Sequence, residues 1–399
     1  MLRAAFTLFG GSTYWTGGVN YFRNCFRVLR RYPEAGVMPV LFVSPDMPKA
    51  DVETLAAELG EPPVEAEWLA VAGRARRFGL TLLRGSDTRA LRAFRDHRVD
   101  VVLEASEYYG VRFPLPMLTW VADFQSHYQP QHFSWRARWR TYLGRRLQFV
   151  GKRLILLSSN DAAADSARFY PPSRGRTVVV PFAVLPAEGF RIDPAVPAHH
   201  GLPERYFYLP NQFWQHKNHE VVIEALALLR NDPGIVVAAT GSPVDHRNPG
   251  HFERLQERVA ALGLPARFRF LGLVPGSHVP QLAVQSVAVV NPSFFEGWSS
   301  TVEEAKSFGV PLVLSSIAVH REQARDAAWY FDPKSPDSAA AALLQAWRAP
   351  SVAAAERLGR AAASADVRTR EFAQRLGAAF RRAAGRASGH ADPSTGPRV

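Results

Sequence analysis

The sequence predicts an α/β protein of two domains, each built around a mainly parallel sheet. Three observations predict this class. The 399 residues exceed one ordinary core and suit two domains of roughly 150–200 residues each. Short apolar runs alternate with longer amphipathic segments, which is typical of successive strand–helix–strand units. The alternation breaks once, at a proline-rich stretch over 181–203, which we interpret as a linker.

Two series of apolar runs are predicted to supply the two sheets, in domains over residues 1–183 and 200–367. Helices are predicted between most strands, among them Tyr21–Arg31, Thr88–Arg95 and Thr301–Phe308. The strands of the first series are Ala4–Phe9, Val40–Val43, Val101–Leu103, Leu118–Val121, Leu154–Leu157 and Val178–Val180. Those of the second are Tyr206–Leu209, Ile235–Ala239, Phe268–Leu271, Val287–Val290, Pro311–Leu314 and Trp329–Phe331.

The end of the chain changes character. Two further helices are predicted, at about 353–363 and 368–386. The residues after them are small, polar and proline-containing. This composition predicts a disordered tail over 387–399.

The composition is typical of a soluble globular protein, with 47% hydrophobic and 21% charged residues. No apolar run approaches the ~20 residues needed to span a bilayer, and residues 1–9 read as a buried strand rather than a signal peptide. Cys25 is the only cysteine, which excludes an intramolecular disulfide and a cysteine-based metal site. These features favour the cytoplasm. The net charge of +12 favours phosphates, nucleic acid or an anionic membrane as partners, without choosing among them.

Two glutamates flank a predicted turn from a strand into a helix. Glu296 lies in the loop after Val287–Val290, and Glu304 lies in the first turn of a helix that begins near Thr301. Free backbone N–H groups over about 299–302 suit a phosphate or sugar oxygen. Ionised carboxylates accept hydrogen bonds from vicinal hydroxyls. The pattern therefore predicts a site for a phosphate or a sugar.

The same residues have a structural alternative. In a capping box, Ser300 or Thr301 would be the N-cap, and Glu303 or Glu304 at the third helical position would return a hydrogen bond to it. The position directly after a predicted strand, where ligands of open α/β sheets bind, favours the binding interpretation.

The string 296–305, with the turn at 308–313, resembles the E-x7-E signature of the retaining GT-B glycosyltransferases called family 4, of the group 1 type. The resemblance implies two Rossmann-like domains whose parallel sheets face a central cleft, with a carboxyl-terminal helix that crosses back. It implies that Glu296 contacts the donor sugar hydroxyls and that Glu304 contacts the ribose hydroxyls. In place of the family's second glycine this chain has Ser299, and in place of its proline it has Ser300 or Thr301.

A second motif, 211–219, follows the strand Tyr206–Leu209 and precedes a helix. Lys217 is expected at the helix N-terminus, where its charge and the helix dipole both favour a diphosphate. It matches the lysine of the family's G-R-x-x-x-x-K-[GN] phosphate site, with Asn218 after it, whereas the family's arginine is Gln212 here. Two histidines without a carboxylate between them are weak evidence for a metal, so no metal site is expected.

A glycine-rich segment over 10–20 follows the first predicted strand and does not match the nicotinamide fingerprint G-x-G-x-x-G. It resembles the family's amino-terminal glycine loop, although an aromatic residue is offset from the family pattern. Gly17 and Gly18 would allow the backbone to approach the donor closely. A flexible turn is the alternative.

The segment 120–130 follows another strand of the first domain. It resembles the D-F-Q-H string of a related branch of the family, with Ser126 inserted before the histidine. The resemblance implies that His127 holds hydroxyls of the transferred sugar and that Asp123 orients it. A surface histidine without a role is the alternative.

Two turns complete the predicted site. Gly241-Ser242 resembles the family's turn beside the diphosphate, and Leu271–Val274 resembles the turn whose backbone meets the nucleotide base. Each is weak alone, and their order along the chain is the stronger signal. The predicted catalytic residues are Glu296, Lys217, His127 and Asp123. The predicted donor-binding residues are Gly17, Gly18, Gln212, Asn218, Gly241, Ser242, Val274, Gly297, Trp298, Ser299, Ser300, Thr301 and Glu304.

The segment 135–153 is basic and free of acidic residues, with aromatic and apolar residues at helical spacing. Such a helix can lie on an anionic membrane surface. The alternative is a domain helix with its apolar face in the core and a solvated basic face.

The residues and the resemblance together predict a retaining, metal-independent hexosyltransferase. It would move a hexose from a nucleotide diphosphate sugar to a glycan or lipid-linked hydroxyl acceptor in bacterial-type surface polysaccharide assembly, without a cofactor, in the cytoplasm or on the inner membrane face. Residues 1–183 with 368–386 would form the acceptor domain and 200–367 the donor domain. Two alternatives stay open: a GT-B-fold nucleotide-sugar epimerase, and a non-catalytic sugar- or nucleic-acid-binding protein. Nucleic acid is not expected, because the basic residues match no nucleic-acid motif.

Overall fold

A computed structural model describes the chain over residues 1–10, 12–105, 107–151 and 153–387. The chain divides into two compact units. Unit 1 comprises 1–126, 134–181 and the residues from Thr369 on. Unit 2 comprises 127–133 and 182–368. The predicted tail, from 388 onward, lies outside the described residues.

Unit 1 contains a seven-stranded sheet in the order β3-β2-β1-β4-β5-β6-β7, and each neighbouring pair of strands is parallel. The strands are β1 (Leu2–Leu8), β2 (Val37–Val43), β3 (Val64–Glu65), β4 (Val101–Glu104), β5 (Met117–Trp120), β6 (Leu154–Leu157) and β7 (Thr177–Val179). The helices that begin in unit 1 are α1 (Ser12–Arg31), α2 (Lys49–Leu59), α3 (Arg74–Arg84), α4 (Thr88–Asp96), α5 (Gln125–Tyr128), α6 (Trp135–Gln148) and α7 (Asn160–Phe169).

Helices cover the faces of this sheet, which explains why its central strands read as continuous apolar runs. All residues of β4, β5 and β6 are buried, as expected for parallel strands with both faces covered. In the core, Phe6 of β1 contacts the rings of Phe22, Phe26 and Phe380 at centroid distances of 5.4, 5.1 and 5.9 Å. The last of these comes from the carboxyl-terminal helix, which is therefore part of this core.

Unit 2 contains a six-stranded sheet in the order β10-β9-β8-β11-β12-β13, again with parallel neighbours. The strands are β8 (Phe207–Leu209), β9 (Val237–Thr240), β10 (Phe268–Gly272), β11 (Val289–Asn291), β12 (Leu312–Ser315) and β13 (Ala328–Phe331). The helices are α8 (Ala195–His199), α9 (His219–Leu228), α10 (His251–Ala261), α11 (His278–Gln285), α12 (Ser300–Ser307), α13 (Ala318–Ala324) and α14 (Pro336–Arg348), followed by α15 (Ala354–Ala387). Single 3-10 turns of the chain lie at Pro33–Ala35, Glu67–Leu69, Pro130–His132, Pro171–Ser173 and Gln215–Lys217.

The prediction of two α/β units with parallel sheets is confirmed, and several local predictions were wrong. The two helices expected at 353–363 and 368–386 are one continuous helix, α15. The stretch 181–203 is not a free linker, because Val196 and Leu202 are buried in the core of unit 2. The short edge strand β3 has two residues, too few to give a periodic signal.

Part of the apolar surface of α6 is exposed, which differs from the core interpretation of this helix. Trp135, Trp139 and Leu143 are 67%, 57% and 51% exposed. They follow one another at four-residue intervals, so they form an exposed stripe along the helix. Tyr142 packs partly buried against the core that contains Phe149, and Lys152 lies outside the described residues.

Candidate donor site at the carboxyl edge of unit 2

The strand order of unit 2 reverses between β8 and β11, which makes the carboxyl ends of these strands a topological switch point. Ligands of open α/β sheets bind at such points. The side chains there are polar and buried. Asn211, after β8, donates from Nδ2 to Oδ1 of Asn291 at the end of β11, at 3.1 Å. Asn291 in turn donates to Oγ of Ser299 at 2.9 Å.

Lys217 and Glu296 meet at this switch point although 79 residues separate them in the chain. Lys217 ends the 3-10 turn that follows β8, and Glu296 lies in the loop after β11. Lys217 Nζ donates to Glu296 Oε1 at 2.7 Å, and their side chains are only 15% and 11% exposed. The Ser293 hydroxyl lies 2.7 Å from the same oxygen as a second donor. The structure therefore brings together the two residues that the sequence placed at the centre of the site.

The surroundings of Glu296 keep it ionised. Burial on its own raises the pKa of this carboxyl, but the Lys217 ammonium, together with the hydrogen bonds from Lys217 and Ser293, lowers the pKa to about 2. The site thus holds a fixed carboxylate beside a fixed ammonium. The carboxylate can accept hydrogen bonds from hydroxyls, and the ammonium can neutralise an anionic group.

Two loops of this edge are joined by hydrogen bonds. Gln212 Oε1 accepts the backbone N–H of Ser242 at 2.6 Å, so the residue at the family's arginine position ties the two loops together. Gly241 at the base of the second loop has φ +154°, and a Cβ there would lie 2.4 Å from the carbonyl oxygen of Asn211. Only glycine permits this close approach of the two loops.

The start of α12 differs from both predictions. Ser299 is the N-cap, since its Oγ accepts the backbone N–H of Val302, and its own N–H donates to Gln323. The capping-box interpretation of Glu304 is therefore wrong. The expected run of free N–H groups over 299–302 is also shorter, because within it only the amides of Ser300 and Thr301 meet no acceptor among the described residues.

Glu304 is partly exposed and forms no ion pair or hydrogen bond through its carboxyl among the described residues. Burial raises the pKa of this carboxyl to about 7. Its neighbour Glu303 is different, because it is buried and bonds to Lys306 at 2.9 Å. The two adjacent glutamates therefore differ, because Glu303 is engaged within α12 whereas the carboxyl of Glu304 bonds to none of the described residues.

Other predicted donor residues lie nearby but have side chains engaged by the protein. Asn218 Nδ2 donates to the carbonyls of Pro292 and Pro333. The indole N–H of Trp298 donates to the carbonyl of Phe182 at 3.0 Å. Val274 packs partly buried against the core, and Gly297 lies between Glu296 and Trp298 in the loop.

The sequence reasoning missed His320, which lies on α13 and is fully buried. Its Nδ1 lies 3.0 Å from the carbonyl oxygen of Ser315, whereas Nε2 has no hydrogen-bond partner in the described parts of the chain. Burial lowers the pKa of His320 to about 4, against the opposing effect of Glu296. Asn291 ends β11, and Ser293 and His320 follow β11 and β12 in the chain. That position at or after the end of a strand was the one signal that could have found them.

The segment 127–133 belongs to unit 2 and packs at the same edge. Tyr128 lies against Phe295, with centroids 5.5 Å apart, which places the predicted His127 in a segment next to the Glu296 loop. The Arg247 guanidinium lies over the ring of Phe133, 4.5 Å from its centroid.

Three predicted residues belong to unit 1. Asp123 Oδ1 accepts the backbone N–H of Gln125 at 3.0 Å and so begins the short helix α5. Gly17 and Gly18 are not in a glycine loop as expected, because α1 already begins at Ser12. A helical backbone there bonds to itself, so these glycines do not present free amides to a phosphate.

The described residues contain no group of three or more His, Cys, Asp or Glu side chains arranged to hold a metal ion. None of their helices combines the length and the apolar character that crossing a bilayer requires.

Comparison with known proteins finds a family match in the part of the chain that contains this site. Residues 197–365 match the family described as glycosyl transferases group 1. A stretch of 77 residues is 39% identical to the O-antigen chain mannosyltransferase B of Escherichia coli. That stretch covers 19% of this chain. It spans only 20% of the relative's own length.

Solved structures resemble the whole described chain. A glycosyltransferase from Rickettsia africae ESF-5 matches with a TM-score of 0.66 at 15% identity, covering 98% of this chain and 99% of that one. Anabaena Alr3699/HepE in complex with UDP and glucose matches with a TM-score of 0.65 at 14% identity, covering 98% and 100%. These likenesses show the fold. The chain therefore has the GT-B fold, and its residues 197–365 match the group 1 glycosyl transferases.

Proposed function

We propose that the protein is a retaining, metal-independent hexosyltransferase that uses a nucleotide diphosphate sugar as donor and a hydroxyl group of a glycan or lipid-linked molecule as acceptor. The observation that carries the proposal is the buried Lys217–Glu296 pair at the switch point of unit 2. Lys217 stabilises the charge that grows on the leaving diphosphate, in the place a divalent cation takes in other transferases. Glu296 accepts hydrogen bonds from the donor sugar hydroxyls.

The configuration at the anomeric carbon is kept by front-face attack. The acceptor oxygen forms its bond to the anomeric carbon on the side from which the diphosphate oxygen leaves, and the departing phosphate takes the acceptor proton. Lys217 and Ser293 bond to Glu296 and fix its position. A positioning role therefore suits Glu296 better than a nucleophilic one.

Arg247 supplies the second cation that the glutamine at 212 does not. Its loop is fixed to the lysine loop by two bonds, from Trp214 Nε1 to the carbonyl of Val244 at 3.2 Å and from the Gln215 N–H to Asp245 at 3.1 Å. The guanidinium lies 5.8 Å from the centroid of the Trp214 ring. It therefore sits beside the turn that ends in Lys217, where a diphosphate would be held.

Donor binding tests the proposal most directly. We expect one nucleotide sugar from a panel of UDP, GDP, TDP and ADP sugars to raise the melting temperature, because a ligand at 100 times its Kd adds about 2.7 kcal/mol. Lys217→Ala should abolish this shift. Lys306→Ala is the matched control, since this lysine pairs with Glu303 at 2.9 Å on α12 and should leave donor affinity unchanged. No shift with any donor would refute the proposal.

Transfer itself separates the proposal from its rivals. The donor with a saccharide acceptor should give a product whose anomeric configuration, read from proton couplings, equals that of the donor, and chelation with EDTA should not reduce the rate. A nucleotide-sugar epimerase would change the donor without an acceptor, and inversion of configuration would contradict the retaining route. Glu304→Ala should weaken donor binding. With the native residue, affinity should rise as the pH rises through about 7, because the ribose hydroxyls need the ionised carboxylate as acceptor.

We further propose that α6 lies on an anionic membrane surface, which would bring a lipid-linked acceptor to the enzyme. The stripe of Trp135, Trp139 and Leu143 is exposed, and the basic residues of the same helix suit anionic headgroups. The exposed ones are Arg136, Arg138, Arg140 and Arg146.

Vesicle sedimentation tests this surface. The protein should bind vesicles of phosphatidylcholine with phosphatidylglycerol, and less at high salt or with phosphatidylcholine alone. Trp135→Ser with Trp139→Ser should remove most of the binding. Leu273→Ser is the control, because Leu273 is an equally exposed apolar residue of unit 2, at 73%. Equal binding by both variants would count against the α6 surface.

A further inference from the structure

Unit 1 has a cavity of its own between α3, the turn Glu67–Leu69 and the start of α4. Its lining includes Trp68, Thr81 and Ser86, together with Arg76, Arg84 and Arg89. Two bonds place it at the carboxyl edge of the sheet. The Ala66 N–H donates to the carbonyl of Val43 at the end of β2, and the Asp87 N–H donates to the carbonyl of Tyr109, which follows β4. This is the edge at which open α/β sheets bind ligands.

The charged groups of the lining favour an anionic ligand. Arg76, Arg84 and Arg89 line the cavity, are exposed, and form no ion pair among the described residues. The fourth lining arginine, Arg77, is instead engaged by Glu107 and by Asp87 at 3.6 Å. The carboxylates of the lining are Glu67 and Asp87. The cavity therefore retains cations that no protein carboxylate neutralises.

We propose that this cavity binds a phosphate group of the acceptor, held by Arg76, Arg84 and Arg89. Guanidinium groups bind phosphate oxygens through paired N–H donors. The identification of the ligand as an acceptor rests on the proposed transferase activity. Phosphate binding itself requires neither a donor nor turnover. The phosphate belongs to a sugar phosphate or to the headgroup of a lipid carrier.

Calorimetric titration tests the site in the Lys217→Ala background, so that the proposed donor site does not contribute. Glucose 1-phosphate is the soluble probe, glucose its neutral counterpart, and vesicles containing phosphatidylglycerol the lipid probe. Arg84→Ala with Arg89→Ala should weaken phosphate binding at least tenfold. Arg92→Ala is the matched control, because Arg92 is an exposed arginine on the same helix α4 that does not line the cavity.

Each outcome decides the proposal. Binding of glucose 1-phosphate that depends on Arg84 and Arg89 supports a soluble sugar phosphate. The same dependence seen only with vesicles supports a lipid phosphate. Equal loss in Arg92→Ala would show a general charge effect and overturn the site, as would phosphate binding that disappears with Lys217→Ala alone. A failed donor screen with intact phosphate binding would refute the transferase proposal and leave this site standing.

Discussion

Replacing Glu304 with Gln should stabilise the protein at high pH. Burial raises the pKa of this carboxyl from its ordinary value of 4.5 to about 7. The folded protein therefore binds the proton more tightly than the unfolded chain does. The stability from this group is fully present below pH 4.5 and is lost as the pH rises through 7. Glutamine has no charge to desolvate and avoids the loss.

The size of the effect follows from the shift. A difference of one pKa unit corresponds to 1.36 kcal/mol, so the shift from 4.5 to about 7 sets an upper value of about 3 kcal/mol. Glu304 is partly exposed, and solvent screening reduces this to about 1–2 kcal/mol. For a unit of this size, 1 kcal/mol changes the melting temperature by about 2–4 °C. The gain of Glu304→Gln over the native protein should therefore grow by several degrees between pH 5 and pH 8.

Melting curves recorded across this pH range without nucleotide measure the effect. Glu303→Gln is the control on the adjacent residue, since it breaks the ion pair with Lys306 and should lower the melting temperature at every pH tested. Parallel pH profiles for Glu304→Gln and the native protein would refute the reasoning, because they would mean that Glu304 titrates as an ordinary exposed carboxyl.

Three substitutions test how the fold positions the site. Gly241→Ala should lower the melting temperature by several degrees and weaken donor binding, because its Cβ would lie 2.4 Å from the carbonyl oxygen of Asn211; an unchanged melting temperature would contradict this. Ser299→Ala removes the N-cap of α12 and should cost about 1 kcal/mol in chemical denaturation, whereas no loss would mean that the cap is replaced. Gly377→Ala should destabilise unit 1, because its Cβ would lie 2.2 Å from the carbonyl oxygen of Ala35; protease protection of that unit equal to the native protein's would show that α15 does not need this close contact.

Much of the architecture could be predicted from the sequence because its signals are local. Buried parallel strands are short continuous apolar runs, and β6 was predicted at its observed bounds, Leu154–Leu157. The functional motifs could be located for the same reason, since Lys217, Gly241 and Glu296 each follow a strand within a few residues. The errors arose where local signals conflict with packing. Gly17 and Gly18 read as a loop, yet they continue a helix that begins earlier.

The sequence by itself determined the α/β class, the number of units and the order of strand-end motifs along the chain, because periodicity and turn residues act over a few positions. Only the tertiary structure decided which motifs meet. The pairing of Lys217 with Glu296 depends on β8 lying beside β11, a neighbour relation that no local pattern contains. The same holds for the buried His320 and for the exposed stripe on α6. A helical spacing shows that residues share a face, but only packing decides whether that face is covered.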